Sequence, residues 1–460
     1  MTRARLGSIV VVLCAVNLLV AADFLGASVL LDPIGQDLHM GTATLAWVVN
    51  GYLLTLAAPL IAFGRASDAV GAVRLTRIGL LAFAVGAAVT GAAGSEEILI
   101  AGRMVQGVGA SILTATGLSL VSTSAAPGER GRVVGIWAGV GAIGSAAGPL
   151  LAGALEALWS WRLFFLVDVP FALAVLWFLR HARDPERSGA PVAVDVVGVV
   201  CLTLGLGGAV LALLAGPDSG WLSVPVVGGA IGAVALLTVF AVRDARSAHP
   251  LLDRRLFGGY RYRAVATTAF VGNAAFAVVS FFASLYLQQV QDLDPVAAGA
   301  VFLAMTVPLI ALSPRVGAWT ERFAVGRLMA GGLLIVAVSV VVLAGLGIDD
   351  GLGPVVVALV LSGAGQALVF NVSNIAAVDA AVGAAGLESG MINEVRQIGA
   401  LVGLAVFGAL FAALQASGNG SAASVFVDAL RLPNLLLAAL CVAAAVYVVR
   451  ARQVASSAPG

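Results

Sequence analysis

One carboxylate and one guanidinium stand inside apolar stretches where a charge is expensive. Asp23 lies within 8–31 and Arg103 within 98–121. A charged side chain in the middle of hydrocarbon costs ~3 kcal/mol or more, so it faces a bundle interior or a watery cavity and usually has a partner. A carboxylate held away from bulk water can gain and lose a proton as its surroundings change, which makes Asp23 a candidate proton carrier. A buried guanidinium needs an anionic or carbonyl partner, and Asp23 matches Arg103 in depth. Two other arrangements stay open: Asp23 at a helix end reaching the outer interface, and Arg103 pairing with Glu96 or Glu97 at the surface. A third acid, Asp168, lies nearly two turns beyond Trp159, Trp161 and Arg162. It suits either an interior site or a local hydrogen bond.

Neutral polar residues are sparse within the apolar runs. Asn50, Gln106, Asn273, Gln288 and Asn371, with Asn17, Gln289, Gln366 and Asn374, are the candidates to line a path together with Asp168. Each serves equally as interhelical glue. As a set they imply a weakly polar cavity suited to amphiphilic cargo rather than to sugars. Other chemistry has little material. His39, His181 and His249 fall in expected loops, and Cys14, Cys201 and Cys441 fall in three different apolar runs without metal spacing. No metal and no cofactor is implied. A membrane-embedded enzyme would need such groups clustered at one depth, and no basic run has the form of a nucleic-acid site.

Elements must hold these side chains in hydrocarbon. The chain has 460 residues, 60% hydrophobic and 11% charged, and a mean hydropathy of +1.05. A soluble domain cannot hide that much apolar side chain. Spans bounded by charge, Gly and Pro are expected at 8–31, 44–63, 75–94, 98–121, 132–155, 162–180, 195–215, 222–242, 264–289, 297–316, 327–347, 354–378, 394–415 and 432–449. In lipid these must be helices. The run to Leu31 suits a first membrane helix better than a cleaved signal. All 25 basic residues are Arg. With both termini inside, most of them fall on inner segments, while acids such as Glu96, Glu156, Asp292 and Asp349 fall outside. That regularity supports fourteen spans.

The segments GRASDAVGAVR (64–74) and GAWTERFAVGR (317–327) form a weak internal repeat. The expected organisation is a six-helix half at 1–190, an inserted two-helix hairpin at 191–260 and a second six-helix half at 261–460. Gly is abundant, at 56 residues, and small residues let membrane helices approach closely. GVGAIGSAAGPLLAG (139–153) is the extreme case, with Pro149 removing a helix hydrogen bond.

These motifs converge. Along almost its whole length the chain resembles the fourteen-helix drug:proton antiporter branch of the major facilitator superfamily. GRASDAVGAVR carries Gly64, Asp68, Gly71 and Arg74 of the superfamily's loop signature, RMVQGVGAS (103–111) resembles its fourth-helix signature through Arg103, and GAIGSAAGPLLAG (141–153) resembles the antiporter signature through Gly148, Pro149 and Gly153. Asp23 matches the acidic position of the first helix. WRLFFLVDVP (161–170) resembles a branch pattern that usually has Asn where this chain has Asp168; LYLQQV (285–290) and RQIGALVG (396–403) are similar to further branch patterns. The resemblance implies an all-α polytopic membrane protein that exports drugs, antibiotics or dyes by alternating access, driven by the proton gradient. It implies proton coupling by Asp23 and Arg103, and conformational gating by the loop and antiporter motifs, with Asp68 locking the outward-open state against the start of the eleventh helix. It implies a multi-pass protein of the bacterial cytoplasmic membrane, both termini cytoplasmic, acting as a monomer. A dedicated exporter of one endogenous metabolite fits the same residues, and a channel fits less well.

Overall fold

The computed structural model describes residues 3–124, 130–180, 195–247, 250–251, 259–380 and 385–456, with the side chains of 3–10, 68, 118–119, 121–124, 130–135, 138, 218, 377–380, 385–389 and 451–456 left aside. The described residues form helices and no strands. In order these are α1 (Arg3–Val29), α2 (Leu31–Leu38), α3 (Thr42–Ala57), α4 (Leu60–Val70), α5 (Ala72–Gly91), α6 (Glu96–Ser124), α7 (Arg130–Leu158), α8 (Trp161–Leu179), α9 (Val196–Ser219), α10 (Val224–Arg246), α11 (Tyr260–Gln289), α12 (Pro295–Val301), α13 (Leu303–Arg322), α14 (Val325–Ala344), α15 (Gly353–Ala380), α16 (Ala385–Ser417) and α17 (Ala422–Ser456). Among the described residues, fourteen spans are long and apolar enough to cross a membrane. Their outward faces are lipid-like: Ile78, Leu81 and Val85 on α5 are each about half exposed, as are Leu334, Val338 and Val341 on α14. At spacings of three and four residues these form apolar stripes that water would not tolerate.

The spans match the expected ones in number and differ at their ends. The second expected span is two helices, because Pro59 carries no N–H and starts α4 after a break at Ala58. The tenth is likewise divided at Phe302. α16 begins at Ala385 rather than 394, and α17 at Ala422 rather than 432. Charges were taken as span ends, yet the helices run through Glu394, Asp428 and Arg431, because a helix keeps its backbone bonds on both sides of the lipid boundary.

Two compact units are present: Met1–Ala209 with Gly229–Leu251, and Val210–Gly228 with Leu252–Gly460. In the first, α1 packs on α6, α7 and α8; α5 on α6 and α8; α3 and α4 on α6; and α7 on α8. In the second, α11 packs on α15, α16 and α17; α14 on α15 and α17; α13 on α15; and α16 on α17. The main pairs correspond: α1, α5, α6, α7 and α8 pair among themselves as α11, α14, α15, α16 and α17 do, and the second unit adds contacts of α11 with α14.

The repeat extends to side chains. Asn17 Nδ2 donates to the Trp137 carbonyl (2.8 Å), and a Cβ at Gly144 would stand 2.5 Å from the Leu18 carbonyl oxygen. Asn273 Nδ2 donates to the Arg396 carbonyl (3.0 Å), and a Cβ at Gly403 would stand 2.5 Å from Ala274 Cβ. In each unit one Asn on the first helix ties down a carbonyl two turns ahead of a glycine that admits the next residue of that helix.

Candidate functional site

α6 carries Arg103 about two turns from its start at Glu96, and α1 carries Asp23 a similar distance from its end at Val29. Both side chains are buried: Asp23 is 0% exposed and Arg103 1%. Arg103 Nη1 donates to both Asp23 oxygens (2.9 Å each) and to Gln106 Oε1 (2.7 Å), while Nε donates to the Val48 carbonyl (3.3 Å). Of the arrangements open from sequence, the buried pair is the one formed; surface pairing of Arg103 with Glu96 or Glu97 is not. The guanidinium lies 4.3 Å from the Tyr52 ring centroid and 5.4 Å from that of Phe165. These aromatic faces shield the pair from lipid and favour the cation.

Gln106, one turn beyond Arg103, links the two acids. Its Nε2 donates to Asp23 Oδ1 (2.9 Å) and Asp168 Oδ2 (3.4 Å). Asp168, from α8, is 8% exposed. One guanidinium therefore serves two buried carboxylates. With both ionised the cluster carries an uncompensated negative charge; with one proton on the pair it is neutral.

The remaining polar candidates divide between the units. Asn50, on α3, is fully buried, and neither of its amide atoms has a hydrogen-bond partner among the described residues. In the second unit Asn273 accepts from Gln366 (3.4 Å) and donates to Gln397 Oε1 (3.3 Å) besides the Arg396 carbonyl. Gln288 bonds within its own helix to Ser284, and Asn371 joins α15 to α13 through Ser313 (2.9 Å). Gln106 and Asp168 thus join the ion pair, whereas Asn273, Gln288 and Asn371 lie in the second unit.

The gating candidates fall at two places. Gly64 lies in α4, with open space where a Cβ would go. Gly71 joins α4 to α5 at φ 103°, a conformation closed to other residues without strain, and Arg74 is exposed in the first turn of α5. The Asp68 side chain lies outside the described residues. In α7, a Cβ at Gly148 would overlap the Ala22 carbonyl oxygen, one residue from Asp23. Pro149 follows inside the helix, and Gly153 is buried one turn on.

Sequence reasoning missed Arg396. It is 4% exposed, on α16, and donates to Asn393 Oδ1 (3.2 Å), Ser373 Oγ (3.2 Å) and Asn374 Oδ1 (2.8 Å). Starting that span at 394 put Arg396 at an inner helix end, whereas the helix begins about three turns earlier. Arg396 opening RQIGALVG, with Gly399 and Gly403 at helical spacing on its face, was the available signal.

Outside the spans, Asp37 on α2 accepts from Arg162 (2.6 Å) and from the Trp161 indole (3.2 Å), and Arg162 also donates to the Ala93 carbonyl (2.8 Å). The Arg162 hydrogen bond holds the Asp37 carboxyl below the usual carboxylate range. Asp195, at the start of α9, is lowered in the same way by Arg243 of α10 (2.9 Å).

The tetracenomycin C resistance and export protein of Streptomyces glaucescens is 31% identical over 397 residues, 86% of this chain and 74% of that one. The cephamycin export protein of Amycolatopsis lactamdurans is 32% identical over 432 residues, 90% and 85% of the two chains. A multidrug resistance protein of Mycobacterium tuberculosis is 29% identical, over 85% and 73%. Among solved structures, a transporter of the POT family bound to 5-aminolevulinic acid superposes with a TM-score of 0.71 at 13% identity, covering 96% of this chain and 95% of its own. A bacterial homologue of the human lysosomal transporter Spinster gives 0.68 at 16%, covering 98% of each. The Major Facilitator Superfamily model matches residues 13–404, and the chain, an all-α polytopic membrane protein of that fold, belongs to this superfamily.

Proposed function

We propose that this protein exports small amphiphilic or hydrophobic compounds, such as drugs, antibiotics and dyes, in exchange for protons by alternating access. The observation that carries the reading is the buried cluster of Asp23, Arg103, Gln106 and Asp168. A proton entering from outside lands on the acid pair, weakens its hold on Arg103 and biases one conformation over the other. Substrate leaves the outward-open state as the proton binds, the protonated carrier turns inward, and proton loss to the inside with fresh substrate binding resets the cycle. Asp23 and Asp168 share the proton; Arg103 senses it. Gly148 and Gly144 keep α7 against α1, so movement of α7 is felt beside Asp23. The gating roles of Gly64, Asp68, Gly71, Arg74, Pro149 and Gly153 belong to the same reading. So does the organisation into halves at 1–190 and 261–460 around a hairpin at 191–260, which the matching helix pairs support. The protein would be a monomer in the bacterial cytoplasmic membrane with both termini inside.

A narrower reading has its own support. Relatives at 31% and 32% identity carry the names of single antibiotics, and a dedicated exporter of one such compound uses the same cluster.

The test is dye accumulation in inverted membrane vesicles under an imposed pH gradient. Asp23→Asn is expected to abolish gradient-driven accumulation while the protein remains folded in the membrane. Accumulation at the wild-type rate would overturn the coupling role. A panel of cationic dyes and antibiotics against an efflux-deficient host separates the broad reading from the narrow one.

A further inference from the structure

The two units treat their buried arginines differently. Arg103 has two acids in its cluster. Arg396 has none: no ion pair among the described residues includes it. Its hydrogen-bond acceptors are neutral, namely Ser373 Oγ, Asn374 Oδ1 and Asn393 Oδ1. Of the five N–H bonds of a guanidinium, three are thereby committed, and Nε is buried with no acceptor. Glu394, two positions earlier, points about 200° away around the helix and makes no ion pair with it. The Phe370 ring covers one face of the guanidinium, its centroid 4.2 Å from Cζ. A charge placed this way in a membrane span is costly, and neutral oxygens orient it without neutralising it.

We propose that Arg396 is the anion-recognising subsite of the transport path, which takes substrates that carry a carboxylate or similar acidic group on an apolar body. The free Nε–H and the remaining Nη1–H are the donors for the acid, since guanidinium and carboxylate match in charge and hydrogen-bond geometry. Phe370 supplies an apolar face beside it. Ser373, Asn374 and Asn393 hold the guanidinium in place. At 4% exposed the subsite is occluded in this conformation, so a substrate reaches it as the conformational cycle opens the path. The inference rests on the exporter reading above and narrows its substrate class.

The experiment uses full-length purified protein in detergent micelles with two dyes of related size: fluorescein, an anion at neutral pH, and ethidium, a cation. Arg396→Gln is expected to weaken fluorescein binding ~10-fold or more, the scale of a hydrogen bond to a charged group, and to leave ethidium within twofold. Arg396→Lys, which keeps the charge but not the two-pronged geometry, should recover only part of the fluorescein affinity. On the wild-type protein, 1-naphthoate should displace fluorescein and 1-naphthamide should not; this arm stands even if a variant fails to fold. Absent fluorescein binding by the wild type, equal loss of both dyes in Arg396→Gln, or equal displacement by acid and amide would overturn the subsite. Efflux from cells is read in parallel with Asp23→Asn. Selective fluorescein binding together with efflux unaffected by Asp23→Asn would sink the proton-coupling reading and spare the subsite.

Discussion

Removing the two acids of the Arg103 cluster one at a time and then together should give a cost larger than the sum. In Asp23→Asn, the new amide oxygen still accepts from Arg103 and Gln106, and one of the two 2.9 Å bonds to the guanidinium is lost. Asp168 stays in the same network as the one acid left to balance the charge. The expected loss is ~1.5–3 kcal/mol, that of one charge-assisted hydrogen bond. In Asp168→Asn the Asp23–Arg103 pair is untouched, and only a 3.4 Å contact to Gln106 changes, so the loss is about 1 kcal/mol or less. The double variant leaves Arg103 1% exposed with no acid in its network. That is a broken buried pair, worth ~3–5 kcal/mol on top of the lost hydrogen bonds. The coupling between the two positions should thus be ~3 kcal/mol or more, at the top of the range for residues of one network. Thermal unfolding of purified wild type, both singles and the double in one detergent supplies the cycle. Dye-linked proton release from vesicles supplies its functional counterpart. Additivity to within ~0.5 kcal/mol would refute the claim that both acids answer to one guanidinium.

Two further outcomes follow from local geometry. Gly148→Leu should cripple transport, because even a Cβ overlaps the Ala22 carbonyl oxygen and the larger side chain forces α7 from α1; overpacking of this kind costs ~1–3 kcal/mol, and unchanged resistance in an expressing host would remove the packing argument. Asp37 is held low by Arg162, so its contribution is present above the unfolded value of about 3.9 and is lost as pH falls through the lower folded value. The pair is partly exposed, at 30% and 44%, which limits the effect to ~1 kcal/mol or less. Asp37→Asn should accordingly lower the unfolding temperature slightly at pH 7 and match the wild type at strongly acidic pH, and a gap that widens on acidification would contradict the assignment.

Much of this was legible because lipid enforces simple rules. Fourteen apolar runs became fourteen spans, since backbone in hydrocarbon has no option but helix. Asp23 and Arg103 announced themselves as charges in such runs. The bonding of Gln106 between two acids was not legible, because glutamine in a span reads equally as glue or as ligand contact. The divided second span was hidden behind a single proline, Pro59, in an otherwise continuous apolar run. Arg396 was lost to a boundary rule: a span taken to end at the nearest charge excludes the charges that are buried within a longer helix.

The repeat explains why that omission mattered. Asn17 with Trp137, and Asn273 with Arg396, occupy the same register of the same helix crossing in their two units. In both cases the crossing itself is made by the asparagine, a backbone carbonyl and a glycine two turns on, so the side chain at the carbonyl position is left free to vary. One unit places a half-buried tryptophan there and the other a buried guanidinium. The conserved part of the geometry is therefore structural, and the part that differs is where chemistry entered. The first unit keeps its charge paired in a cluster on α1, α6 and α8; the second keeps one on α16 that makes no ion pair among the described residues. A transporter that exchanges protons for organic anions needs both kinds of site, and separate helices let each be tuned without disturbing the crossing that the units share.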